Sequence, residues 1–175
     1  WIGLLDEASR AVKPVAHAGI VDGYLEALKI VLDDSPAGQG PTASALRDGQ
    51  HIIVNDIEHD PRMGPWRSRA LALGYRASAA FPFMVAGQMH GALNLYAAER
   101  DAFDATEISL LDKMAMDIAF ALEFNAQEGQ RRHAEQILRE SEARYRHVSS
   151  AISDIAYACA TDNAGDYALE WMTGA

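Results

Sequence analysis

Four side chains able to bind a metal ion fall within ten residues of one another: His51, Asp56, His59 and Asp60. Imidazole and carboxylate together suit zinc and other divalent ions. Spacing alone does not make a ligand set, however, and a solvated polar loop accounts for the same residues, so no metal is expected. His17 and His90 could ligate a haem iron, but an isolated strand histidine is more commonly a surface or core residue. Cys159 is the only cysteine, which excludes an intramolecular disulfide and a cysteine-based zinc site and suits a reducing compartment. No Gly-x-Ser-x-Gly elbow is present. Catalysis has no positive signal here, and the chain is expected not to be an enzyme.

The elements that would position these residues follow from periodicity. Residues 1–8 and 11–19 are short, apolar and strand-like around the Ser9-Arg10 break, which reads as a hairpin. Pro14 cannot donate to a ladder, so the second strand belongs at a sheet edge or carries a bulge. Leu25, Leu28, Val31 and Leu32 fall at helical spacing in residues 24–32, with Asp22 as a cap. Residues 40–49 predict a short helix with Pro41 near its start and Gly49 past its end, followed by a strand at 51–54. A further short helix is expected at 66–73, between Pro65 and Gly74. Two strands, 76–85 and 88–97, meet at Ala86-Gly87 as a hairpin. On the second, Leu93 and Leu95 share one face, and Asn94 and Tyr96 the other, which looks outward or into a pocket.

A capping box, Asp104 with Glu107, opens a long helix on which Ile108, Leu111, Ala115, Ile118 and Leu122 repeat at spacings of 3, 4, 3 and 4. The repeat fails at Asn125 and Gly129 and resumes in a new phase at Ala134, Leu138, Ser141, Tyr145 and Val148. This phase break argues against one uninterrupted coiled coil. Past Ser153 the text turns strand-like around Asn163-Ala164-Gly165. The order predicts an α+β fold: an antiparallel sheet of about five to six strands with helices on both faces, plus a long C-terminal helix.

Composition narrows the function classes. The 175 residues carry 25 acidic and 15 basic side chains, a formal charge of −10, which argues against a nucleic-acid partner. The most apolar windows, 79–86 and 114–122, are far shorter than the roughly 20 residues a membrane span requires. No basic-then-apolar leader is visible in the sequence, one trimmed away being equally compatible with it, and a cytoplasmic setting is expected.

The residues of 40–57, from Gly40-Pro41-Thr42 to Asn55-Asp56-Ile57, with Asp60-Pro61, Tyr75-Arg76-Ala77-Ser78, Phe81-Pro82, Gly91-Ala92-Leu93-Asn94-Leu95-Tyr96 and Phe103-Asp104, together resemble a GAF domain over about residues 1–124. The first helix of that family is missing, which implies a truncated start. The tail, with Ser141-Glu142-Ala143-Arg144-Tyr145-Arg146, Asp154-Ile155-Ala156-Tyr157 and Asp162–Gly165, resembles the opening of a PAS domain. The expected organisation is a GAF-like sensory domain at 1–124, a helical linker at 125–140 and a truncated PAS-like start at 141–175.

The resemblance implies a bacterial signalling protein of the histidine kinase or diguanylate cyclase kind, with its output domain outside this chain. Bilin attachment and free methionine sulfoxide reduction, both found on this fold, need pocket cysteines that are absent here. The cyclic-nucleotide signature is absent as well. The family's site lies between the sheet and the short helices, which points to Asp56, Trp66, Tyr75, Ser78, Asn94 and Tyr96 as ligand contacts, the ligand and any cofactor being unknown. Two functions compete. In one, a small molecule in the pocket shifts the helix after Asp104, with the phase break between Leu122 and Ala134 as the bistable element. In the other, the chain is a ligand-free homodimerisation scaffold whose pocket is plugged by Trp66, Tyr75 and Tyr96, with Met114, Phe120 and Phe124 meeting the second copy.

Overall fold

The computed structural model describes residues 1–19, 23, 25, 30–152, 155–161 and 167–174. It contains strands β1 (Ile2–Asp6), β2 (Ala11–Ala16), β3 (Ile30–Val31), β4 (Ile52–Val54), β5 (Ala77–Val85), β6 (Gln88–Ala97), β7 (Ile155–Thr161) and β8 (Tyr167–Gly174). Helices α1 (Pro41–Asp48), α2 (Arg67–Ala72) and α3 (Ala105–Ile152) complete it, with 3-10 turns at Pro36–Gln39 and Pro61–Met63. The chain divides into two compact units, Trp1–Phe124 and Asn125–Ala175.

In the first unit the fold is α+β: six strands form one antiparallel sheet in the order β3-β2-β1-β6-β5-β4. Pro14 shows how its chemistry is accommodated. It pairs with Gly3 beside a register shift, and β3 pairs with Ala11 and Val12, so among the described residues no strand flanks Pro14 on its other side. The helix expected at 24–32 is corrected at its end, where Ile30 and Val31 are a strand; the backbone hydrogen bonds of Val12 and Ala11 decide this over helical spacing. Asp22 and most of that segment lie outside the described residues.

The period of two along the central hairpin sorts the core into two layers. Ala77, Ala79, Phe81 and Phe83 of β5, with Leu93 of β6, pack against Phe103, Leu111 and Ala115 of α3 and the segment before it. Truncating the fully buried Phe81 to Ala would cost about 3–5 kcal/mol. The opposite face carries Ala92 against Ala43 and Leu46 of α1, and Tyr96 against Met63 and Ala70. Helices therefore cover both faces. At the end of α1, Gly49 takes the left-handed conformation (φ 67°) and its N–H donates to the Ala45 carbonyl, closing the helix as its type allows.

Helix α3 begins as the capping box predicts: the Asp104 carboxylate accepts from the Thr106 and Glu107 amides at 2.6 and 3.0 Å. The loss of periodicity at Asn125 and Gly129 does not end it, and α3 runs unbroken to Ile152. Arg131 and Arg132 explain part of this, since both donate to the Glu128 carboxylate at 2.9 Å, supporting the turns beside Gly129 where apolar repeats lapse. The segment 141–152 is thus helical, and the second unit also contains the antiparallel hairpin of β7 and β8, with a register shift between Ala158 and Cys159.

Candidate functional site

The hydrogen-bonding groups on the inner face of the central hairpin are placed by its register. Ser78 lies directly opposite Tyr96, and Asn94 opposite Ala80. Helix α1 crosses this face and brings Thr42, from its first turn, over Asn94. Thr42, Ser78 and Asn94 are 7%, 4% and 2% exposed, so their partners matter. The Thr42 hydroxyl donates to Asn94 Oδ1 at 2.7 Å, and Asn94 Nδ2 donates to the Ala92 carbonyl at 3.1 Å. The Asn94 amide donates to the Trp1 carbonyl at 2.8 Å, fixing the residue between strands. Among the described residues the Ser78 hydroxyl reaches only the Met63 thioether, at 3.8 Å, a weak acceptor.

These groups border a cavity whose walls include Trp66, Met63, Tyr96 and Ile30. Its free volume is about 20 Å³, room for about one water. Trp66 closes it. The residue precedes α2 and is half-buried, and its indole lies against Gly40 so closely that a Cβ on Gly40 would overlap Cζ3 and Cη2. Only glycine leaves that room. Behind the wall, Tyr75 stacks on Tyr96 with ring centroids 4.7 Å apart and planes 25° apart.

Of the six residues expected at a ligand site, Trp66, Ser78, Asn94 and Tyr96 line this cavity. Tyr75 does not line it but supports Tyr96 from within the cluster of Val54, Ile57, Met63 and Ala70. Asp56 is elsewhere. Its carboxylate faces His59 Nδ1 at 2.8 Å and the Arg100 guanidinium at 3.5 Å. The His59 hydrogen bond first, and then the Arg100 charge, hold it below the usual carboxylate range. Thr42, Met63 and Gly40 were not legible as site residues. The one available signal for Thr42 was its place beside Pro41 in the first turn of a helix that must cover the sheet.

The metal-ligating candidates separate. Asp56 and His59 stay together and are joined by Glu58, with one ligand atom from each within 4.8 Å of the others. Arg100 pairs with Glu58 and Asp56, so a guanidinium already offsets part of their charge. His51 instead pairs with Asp112 of α3 at 3.1 Å, and Asp60 binds Arg62, whose Nε donates to it at 2.9 Å. His90 lies beside Phe83, and His17 is exposed.

Comparison with known proteins adds the following. The family model described as GAF domain matches residues 1–123. A domain of a protein described as a two-component sensor histidine kinase from Sinorhizobium meliloti superposes with a TM-score of 0.56 at 22% identity, covering 75% of this chain and 82% of that one. The GAF domain/HD domain protein from Geobacter sulfurreducens gives 0.56 at 19%, covering 72% and 79%. A free methionine-R-sulfoxide reductase from Neisseria meningitidis, in complex with its substrate, gives 0.51 at 20%, covering 71% and 68%. No curated protein matches the chain. Among the described residues, no helix is long and apolar enough to cross a membrane.

Proposed function

Because residues 1–123 place this chain in the GAF domain family, we propose that it is a regulatory sensory module of a bacterial signal-transduction protein. A small molecule binds in the cavity, and the change passes along α3. What carries this reading is the cavity itself: three buried, uncharged hydrogen-bonding groups, Thr42, Ser78 and Asn94, grouped at an otherwise apolar site. The module is not an enzyme in this reading. The reductase neighbour shares the fold, but the only thiol of this chain, Cys159, lies outside the unit that carries the cavity.

Native mass spectrometry of the freshly purified chain tests this. A defined extra mass, lost from an Asn94→Ala chain, is the expected result. A native chain free of adduct, and unresponsive to metabolite pools in thermal-shift assays, overturns it.

A second reading is favoured by a separate observation, the free volume of only about 20 Å³. Here the chain is a ligand-free scaffold plugged by its own side chains. Both readings include a homodimer through α3, whose buried stripe faces the sheet while Met114, Phe120 and Phe124 are 45%, 71% and 58% exposed. Within the second unit, Ala134, Leu138, Tyr145 and Val148 of α3 fall at heptad spacing and are exposed. The domain plan follows the same logic: a sensory domain at 1–124, a helical linker at 125–140 and the start of a PAS domain at 141–175, in a cytoplasmic protein.

A further inference from the structure

We infer that the cavity takes a small, flat, uncharged molecule with one hydrogen-bonding edge, and that this molecule enters by displacing the indole of Trp66. The inference rests on the cavity being a ligand site, as proposed above. Charge is decided by the lining. Among the described residues that border the cavity no side chain is ionised, so a charged ligand would lose its hydration without gaining a counter-charge. The hydrogen-bonding edge is decided by Ser78, 4% exposed and held only by the Met63 sulfur among the described residues. A ligand hydroxyl or amide could both donate to Ser78 Oγ and accept from it, a better partner than the thioether.

Shape and entry are decided by which wall can move. Thr42 and Ala43 belong to α1, and Ser78, Ala80 and Asn94 to the central hairpin, all buried and tied into the sheet or the helix packed on it. Trp66 differs: it is half-buried, precedes α2, and its side chain makes no capping hydrogen bond. Its backbone is anchored at both polar groups, the amide donating to Met63 at 3.0 Å and the carbonyl accepting from Ala70 at 2.9 Å. The indole can therefore rotate outward without unwinding the segment. The space it leaves is a slot floored by Gly40, which has no Cβ to obstruct a planar ring.

The test uses the full chain with Trp1→Phe and Trp171→Phe, so that emission reports Trp66 alone, titrated with benzyl alcohol and with its anionic counterpart benzoate. Benzyl alcohol is expected to give a saturable red shift as the indole enters water, at least about tenfold tighter than benzoate. Ser78→Ala is expected to weaken it severalfold. Equal binding of benzoate overturns the uncharged class. Trp66→Phe and Trp66→Ala chains that bind benzyl alcohol by ligand-observed NMR, while the native chain does not, overturn displacement yet leave the ligand site standing. No probe binding to any chain overturns the inference; a retained mass in native mass spectrometry then still supports the sensory reading, and its absence removes both.

Discussion

The indole of Trp66 and the bare Cα of Gly40 form one contact, with no space between them for a single methyl group. Two segments distant in sequence are joined by it: the residue before α1 and the residue before α2. Gly40→Ala should therefore drive the indole from its seat and cost about 1–3 kcal/mol, the usual range for overpacking. Urea denaturation measures this, and the double variant with Trp66→Ala should cost less than the two single changes added together. Strict additivity would mean the two residues are uncoupled.

The buried pair of Thr42 and Asn94 makes a second prediction. Asn94→Ala removes the acceptor of the Thr42 hydroxyl in a site only 7% exposed, so a loss of about 1–3 kcal/mol is expected. Thr42→Val with Asn94→Leu removes both polar partners and should recover part of that loss. Equilibrium unfolding of the three variants distinguishes a satisfied pair from two independent groups.

On the outer face of α3, Phe120 is 71% exposed. Phe120→Glu is expected to leave stability within about 0.5 kcal/mol, as for an ordinary surface change. If the stripe pairs two copies, the same variant shifts the mass measured by light scattering from dimer to monomer. A native chain that is monomeric at all accessible concentrations removes that pairing.

Gly129 sits within α3 with nothing within 4 Å of where a Cβ would stand. Gly129→Ala should stabilise the helix by about 1 kcal/mol through backbone entropy. Slower amide exchange around residue 129, without change near the cavity, is the expected readout. If the chain is the sensory part of a longer signalling protein, as proposed, unchanged output there would argue against this turn as the bistable element.

Acid should weaken the fold in a defined direction. Asp60 is held below its ordinary value of 3.8 chiefly by the hydrogen bonds from Arg62, and Asp104 by those within its capping box. Their contribution is present above about pH 4, where the unfolded carboxylates are ionised, and fades as pH falls through their lower folded values. Glu128, lowered to about 2 by Arg131 and Arg132, extends the same trend to α3. Unfolding midpoints measured from pH 7 to pH 2 should fall with pH, and Asp60→Asn should flatten part of the slope.

Much of this architecture was written locally. Pro41 and Gly49 bracket α1, Asp104 and Glu107 start α3, Ala86-Gly87 turns the central hairpin, and alternation along 88–97 separates Leu93 from Asn94. Each depends on a few neighbouring residues and on backbone preferences that act at short range. The tertiary structure decided the rest, because it depended on what came alongside. Val31 falls at helical spacing with Leu25 and Leu28, yet Ile30 and Val31 form a strand, since β2 offered them hydrogen bonds. Asp56 and Asn94 are both polar residues near the expected site, but Arg100 and His59 hold one at the surface while Thr42 seals the other beneath α1. That the Trp66 indole can lie at the cavity wall follows from Gly40, 26 positions away, having no side chain. Such a relationship exists only once the sheet has brought the two segments together.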